Sequence, residues 1–388
     1  MKKEKVIAKF REVYGSKGDV SVYFSPGRVN LIGEHIDYNG GHVFPMAIDT
    51  GTYVAVRKRP DKKVNFCSYN FDMKKTIGLE KIEAQPDDNW IKYPKGVLVE
   101  MKNAKYKLAG MDVFVYGDLP NGAGLSSSAS LEVACAYAFA RTAGKKNPDL
   151  VALSLLAQRA ENDFVGVKCG IMDQFASAMG KKSHAILLNT ETMKYAHVPL
   201  TLTTHTIVIA NSNKKRGLVD SEYNARRAEC ERALKAIQAK KKGVKSLCQL
   251  GAGDVGLLKK VLSGNELKRA RFAVEENARV LDSMKALKRD DIKKFGELMN
   301  ASHDGLRDMY EVSCKELDAL VSFSREVPGV LGSRMTGAGF GGCIVSLVPK
   351  NSVEQYIEHI YTKYKALTRL DTDVYIVHPS DGVHELED

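Results

Sequence analysis

Three short stretches of this 388-residue chain concentrate side chains that could do chemistry. The first is LPNGAGLSSSASLEVA, residues 119–134, where Gly122 and Gly124 precede Ser126, Ser127 and Ser128 and an apolar run follows at once. The run MDVFVYGDLP before it alternates like a strand, so the order reads strand, glycine-rich loop, helix. Such a loop aims free backbone N–H groups and the positive end of a helix dipole at one spot, which favours an anion. The glycines let the backbone approach without a Cβ clash, and the hydroxyls can add hydrogen bonds or a metal ligand. A plain helix cap would account for one serine. Three after two glycines exceed a cap, and we read the loop as a phosphate cradle.

The second stretch, SPGRVNLIGEHIDYNGG at residues 25–41, sets Arg28, Glu34, His35 and Asp37 among turns and apolar residues. A surface loop with local ion pairs is the ordinary reading, but it leaves unexplained why charges interrupt an apolar run. Carboxylates there suit hydrogen bonding to a polyol, and Arg28 suits a phosphoryl oxygen. The third, KCGIMDQFASAMG at residues 168–180, places Asp173 at the start of a helical run. From these residues alone a helix cap is the first choice for Asp173, and an acceptor for a substrate hydroxyl proton is the rival. Glu161, on the preceding helix, reads as a surface residue or a magnesium ligand.

Two familiar nucleotide motifs are excluded. No G-x-x-x-x-G-K-[ST] occurs. GAGFGG at residues 337–342 has the letters of G-x-G-x-x-G, but a strand, CIVSLV, follows it where a dinucleotide site needs a helix. The glycines of residues 332–342 exceed the needs of a turn and suggest a second close approach of backbone to ligand.

The elements that must position these groups read as mixed helix and strand. A charged amphipathic helix opens the chain, and strand-like runs follow on both sides of a Pro26-Gly27 turn. Residues 90–102 and 149–164 are helical, and HAILLN and THTIVIANS are apolar strands. Long helical patterns cover residues 223–241, 268–287, 292–310, 314–325 and 353–367. This is an α+β chain of two lobes, residues 1–205 and 206–388, with no internal repeats. The net charge of +11 suits a polyanionic small molecule as well as a nucleic acid, and no nucleic-acid motif accompanies it. Seven cysteines without a C-x-x-C pair fit reduced thiols in a cytoplasmic protein, and the nine histidines lack zinc-ligand spacing. No apolar stretch is long enough to span a bilayer.

Taken together, these segments resemble the GHMP small-molecule kinases, and among them the galactokinases. SPGRVNLIGEHIDYNGG is similar to the galactokinase signature, PNGAGLSSSASLEVA to the family's ATP loop, CGIMDQFASAMG to the segment of the catalytic base, and RMTGAGFGGC to the third, C-terminal glycine motif. Ile36 stands where threonine is common and Ala338 where glycine is usual. The resemblance implies a ribosomal-S5-like N-terminal lobe, a C-terminal lobe built on a helix-covered antiparallel sheet, and a cleft between them. It implies phosphorylation of α-D-galactose at C1 by ATP with Mg2+, the first committed step of galactose catabolism.

By the same resemblance, Asp173 would take the C1 hydroxyl proton and Arg28 would stabilise the transferring phosphoryl group. Glu34, His35, Ile36, Asp37, Gly170 and Tyr223 would form the sugar pocket. Gly122, Ala123, Gly124, Leu125, Ser126, Ser127 and Ser128 would wrap the ATP phosphates, and Ser128 and Glu161 would hold magnesium. Trp90 and Tyr93, which on their own read as core residues, would lie by the adenine. The implied partners are galactose and ATP, with no nucleic acid, no membrane and a monomeric chain. A kinase for N-acetylgalactosamine or arabinose is the nearest rival. A galactose-sensing regulator is the rival from another class, and the uninterrupted GLSSSAS favours the enzyme.

Overall fold

The computed structural model describes residues 3–120, 124–214 and 219–387, so Gly122 and Ala123 of the serine loop lie outside the described residues. In chain order the strands are β1 (Ser21–Asn30), β2 (His42–Val43), β3 (Pro45–Arg59), β4 (Lys63–Ser68), β5 (Lys74–Gly78), β6 (Gly110–Gly117), β7 (His184–Asn189), β8 (Tyr195–Pro199), β9 (His205–Asn211), β10 (Gly332–Thr336), β11 (Cys343–Pro349), β12 (Asp373–Val377) and β13 (His384–Glu385). The helices are α1 (Lys3–Tyr14), α2 (Lys92–Asn103), α3 (Ser127–Thr142), α4 (Leu150–Arg159), α5 (Met172–Met179), α6 (Val219–Gln238), α7 (Val255–Val261), α8 (Gly264–Lys288), α9 (Ile292–Gly305), α10 (Lys315–Glu326) and α11 (Val353–Thr368).

Among the described residues the strands form three sheets, ordered β13-β1-β3-β6-β4-β5, β10-β11-β9-β12 and β2-β7-β8. Successive side chains of a strand point to opposite faces. In the first sheet this sends Val22, Ala55 and Phe114 to α1, and Tyr23, Val54, Val56, Val113 and Val115 to the core shared with α2 and α3. The sheet is antiparallel except between β4 and β6. The second sheet is antiparallel throughout, and α9, α10 and α11 pack on it. The α+β architecture read from the sequence is therefore present. The two halves are not independent, because one apolar core runs from Val29 to Val377 and β13 returns to pair with β1.

Pro26-Gly27 is not the turn that the sequence suggests. β1 runs straight through it, with a register irregularity against β3 between Pro26 and Arg28. A ladder break of this kind tolerates a residue with no N–H. It also lets the serine loop come close: the Arg28 N–H donates to the Leu125 carbonyl at 3.2 Å. A Cβ on Gly27 would lie 2.6 Å from Leu119 Cδ2 and 2.7 Å from that same carbonyl.

The seven cysteines are free thiols, five of them buried. No helix among the described residues is long and apolar enough to cross a membrane. Replacing Gly27 by Ala should overpack the contact between β1 and the serine loop, at a cost of about 1–3 kcal/mol. Denaturant unfolding of the wild type and of Gly27→Ala measures it, and an unchanged midpoint would mean that the loop gives way freely.

Candidate active site

Arg28 and Asp173 meet in a two-pronged ion pair, Nε to Oδ1 and Nη2 to Oδ2, both at 2.8 Å. The third prong, Nη1, donates to the Gly124 carbonyl at 2.8 Å. Asp173 lies in the first turn of α5, where the sequence favoured a cap, yet that helix has no side-chain cap. Its carboxylate turns instead to Arg28 and to Ser126 Oγ, which donates to Oδ2 at 2.6 Å. Ser126 is likewise no cap: it enters α3 in the left-handed region at φ 62° with its side chain on Asp173. A non-glycine residue held there signals a constraint from outside the loop.

These groups open on a cavity of about 250 Å3, lined also by Glu34, His35, Asp37, Glu161, Gly170, Tyr223, Gly337 and Ala338. Gly170 is glycine for a clear reason, since a Cβ there would sit 1.7 Å from Asp37 Oδ2. Glu34 accepts from the Gly337 N–H at 2.5 Å and from Asn30 Nδ2, and Arg334 lies 3.6 Å away. Both ring nitrogens of His35 have protein partners, Tyr38 Oη and the Ala338 carbonyl. Ile36 departs from the others: its side chain is fully buried in the apolar core and does not line the cavity. Leu125 also points into the core, and its carbonyl serves Arg28.

A second cavity, of about 440 Å3, shares Ser127 and Ser128 with the first. Trp90 and Tyr93 line it, beside Ser68, Asn70, Phe71, Gln85 and Asn89. Trp90 is both things the sequence allowed, a core residue at 6% exposure and a wall of the cavity. Its buried Nε1 has no hydrogen-bond partner among the described residues. The N-terminus of α3 points between the cavities, and no acidic side chain in its first turn offsets the dipole. Glu161 stands beside Ser128 in a π-turn, residues 160–165, that continues α4. Burial and then the Asp173 charge raise its pKa. The Ser128 hydroxyl and the Glu161 carboxyl offer oxygen donors, the type a hard divalent cation takes. Among the described residues no cluster of three His, Cys, Asp or Glu side chains forms a cation site, so phosphate oxygens would have to complete one.

Residues 8–58 match the galactokinase galactose-binding signature, residues 92–181 the GHMP kinase N-terminal domain, and residues 283–366 the GHMP kinase C-terminal domain. A galactokinase of Fusobacterium nucleatum is 47% identical over 388 residues, covering 99% of this chain and all of that protein. The chain belongs to the galactokinase family. A Clostridium acetobutylicum galactokinase is 48% identical, with 97% of each chain covered. The crystal structure of Lactococcus lactis galactokinase complexed with galactose superposes with a TM-score of 0.95 at 40% identity, covering 99% of both chains. Methanococcus jannaschii mevalonate kinase shares the fold, with a TM-score of 0.65 at 17% identity over 94% of this chain.

Sequence reasoning missed several groups of this galactokinase-family site. Arg334 and Asn30 hold Glu34, but they sit inside strand patterns with nothing local to mark them. Gln174, next to Asp173, donates to Glu161 at 2.6 Å and to the buried Glu132 at 3.2 Å. Glu161 was a sequence candidate, whereas Gln174 and Glu132 lie on helices whose patterns look ordinary. The glycines of residues 337–342 were the one usable signal, and Gly337 does bring backbone to Glu34.

Burial also raises Glu34, to about 7, against the opposing pull of Arg334 and Arg28, and raises Asp37 to about 6, helped by Asp173. A carboxyl whose pKa is higher folded than unfolded binds the extra proton in the folded state, so stability falls as pH rises between the two values. For Glu34 that window runs from the ordinary glutamate value of 4.5 to about 7. The melting temperature of Glu34→Gln should lose this component, so the variant should decline less than the wild type from pH 5 to pH 7. Parallel melting curves over that range would contradict the raised Glu34.

Proposed function

We infer that this chain is a galactokinase that transfers the γ-phosphoryl group of ATP to the C1 hydroxyl of α-D-galactose, giving galactose 1-phosphate and ADP. The observation that carries the reading is the pair of cavities meeting at Ser127 and Ser128, with Asp173 and Arg28 on the smaller one. We assign the sugar to the smaller cavity and the nucleotide to the larger. The phosphates then lie against the α3 N-terminus, and the terminal phosphoryl group faces Asp173.

Phosphoryl transfer rests on positioning and on neutralising charge more than on covalent chemistry. Asp173 Oδ accepts the C1 hydroxyl proton as the oxygen attacks phosphorus. In a loose transition state that proton leaves late, so a well-placed carboxylate suffices. Arg28 fixes the carboxylate through its two-pronged contact and places guanidinium charge beside the transferring group. Free N–H groups of the serine loop and the α3 dipole meet the remaining phosphate charge. Glu34, Asp37 and Tyr223 orient the hexose, and Trp90 and Tyr93 receive the adenine. Ser128 and Glu161 would hold Mg2+, which would supply positive charge to offset that of the phosphates.

A coupled ADP-release assay on a sugar panel tests the reading. Galactose should be the preferred acceptor, and better turnover on N-acetylgalactosamine would overturn the choice of sugar. Asp173→Asn should lower kcat by roughly 10²–10⁴-fold while galactose binding stays measurable by calorimetry. Retained turnover would place the base elsewhere. Glu34→Ala should raise KM for galactose far more than KM for ATP, whereas equal losses would indicate general structural damage.

A further inference from the structure

A chain of hydrogen bonds behind the smaller cavity plays no part in the transfer described above. It runs from the Ala338 carbonyl to His35 Nε2 at 3.1 Å, from His35 Nδ1 to Tyr38 Oη at 2.8 Å, from Tyr38 Oη to Tyr310 Oη at 2.8 Å, and from Tyr310 Oη to Cys230 Sγ at 3.1 Å. His35, Tyr310 and Cys230 are buried and Tyr38 is partly buried. The chain joins Ala338 of the third glycine motif, the sugar signature, the π-turn of residues 306–310 and α6.

One end of the chain sets its direction. A carbonyl oxygen can only accept, so His35 Nε2 must carry a hydrogen. Burial pushes the imidazole pKa down to about 3, so the ring is neutral and Nδ1 is left as an acceptor. Tyr38 must then donate to His35, Tyr310 must donate to Tyr38, and the Cys230 thiol must donate to Tyr310. The surroundings agree. His35 is held in the left-handed region at φ 61°, and its carbonyl accepts from Asn39 Nδ2 at 2.8 Å. Tyr310 is held from the C-terminal half: its carbonyl accepts from Arg226 Nε at 3.0 Å, and the Arg269 guanidinium lies over its ring.

We propose that Tyr38 is a positioning residue for sugar recognition, which holds the Nε2–H ring of His35 at the cavity wall by donating to its Nδ1, through a one-way chain anchored in the C-terminal half. The inference rests on the reading of the smaller cavity as the sugar subsite. Because the chain is directional, its links are unequal. Loss of the Tyr38 hydroxyl leaves His35 Nδ1 without its donor. Loss of the Tyr310 hydroxyl leaves Tyr38 still able to donate.

The test compares Tyr38→Phe and Tyr310→Phe in the full-length protein. Long-range ¹H–¹⁵N spectra of histidine-labelled protein read the tautomer, with His35 assigned by its loss in His35→Asn. All three proteins should show the Nε2–H form that the Ala338 carbonyl requires, and only in Tyr38→Phe should the Nδ1 resonance shift, because that nitrogen has lost its donor. KM for galactose should rise about tenfold in Tyr38→Phe and less than about threefold in Tyr310→Phe, with KM for ATP within about twofold in both. A wild-type His35 that is not the Nε2–H form, or an unshifted Nδ1 resonance in Tyr38→Phe, overturns the chain. A shifted Nδ1 resonance with unchanged galactose KM overturns the positioning role, as does an equal or larger effect of Tyr310→Phe. Melting temperatures keep unfolding apart from these outcomes. The spectra need no substrate, so failure of the wild type to phosphorylate galactose would sink the sugar-site reading while the chain itself is still decided.

Discussion

The site is assembled on one guanidinium. Arg28 is buried, and three of its nitrogens are engaged, two on Asp173 and one on the Gly124 carbonyl. Through those bonds it ties β1, the serine loop and α5 together, although Asp173 is 145 residues away in sequence. A fork of fixed planar donors does this with an accuracy that a lysine could not match. Arg28 is buried but Asp173 faces the cavity, so removing one partner costs less than the roughly 3–5 kcal/mol of a fully buried pair. The same contact therefore holds the fold locally and aims the reacting carboxylate.

Around that fork, the site gathers charges that burial disfavours. Glu34 and Asp37 sit out of water with their pKa values raised, and the Arg334 guanidinium beside Glu34 comes from the C-terminal half of the chain. Glu34 also accepts from the Gly337 N–H of the third glycine motif. Each half alone would leave an unpaired charge, so the cavity exists only where both meet. Gly170 and Gly337 serve the same end by letting polar groups come closer than a side chain would allow.

Much of this was legible in the chain. The periods of α8, α9, α11 and β9 come from residues that bury one face or both, and burial dominates their placement. The serine loop, the signature around Glu34 and the segment at Asp173 stood out because polar groups and glycines there interrupt apolar runs without a local reason. What was not legible depends on partners far away in sequence. Pro26-Gly27 looks like a turn until the ladder with β3 carries β1 through it. Asp173 looks like a cap until Arg28 claims its carboxylate. Glu161 reads as a surface residue or a magnesium ligand until the π-turn after α4 buries it.

By itself, the sequence determined the fold class, the family resemblance and the chemical types of the groups at the site. Those follow from local composition, periodicity and motif spacing, which neighbours along the chain carry. The tertiary structure alone decided that Ile36 and Leu125 face the core, that Trp90 is both core and cavity wall, and that Ala338 reaches His35. Those are contacts between segments far apart in sequence, and their geometry is set by which surfaces exclude water together. No local pattern encodes that choice.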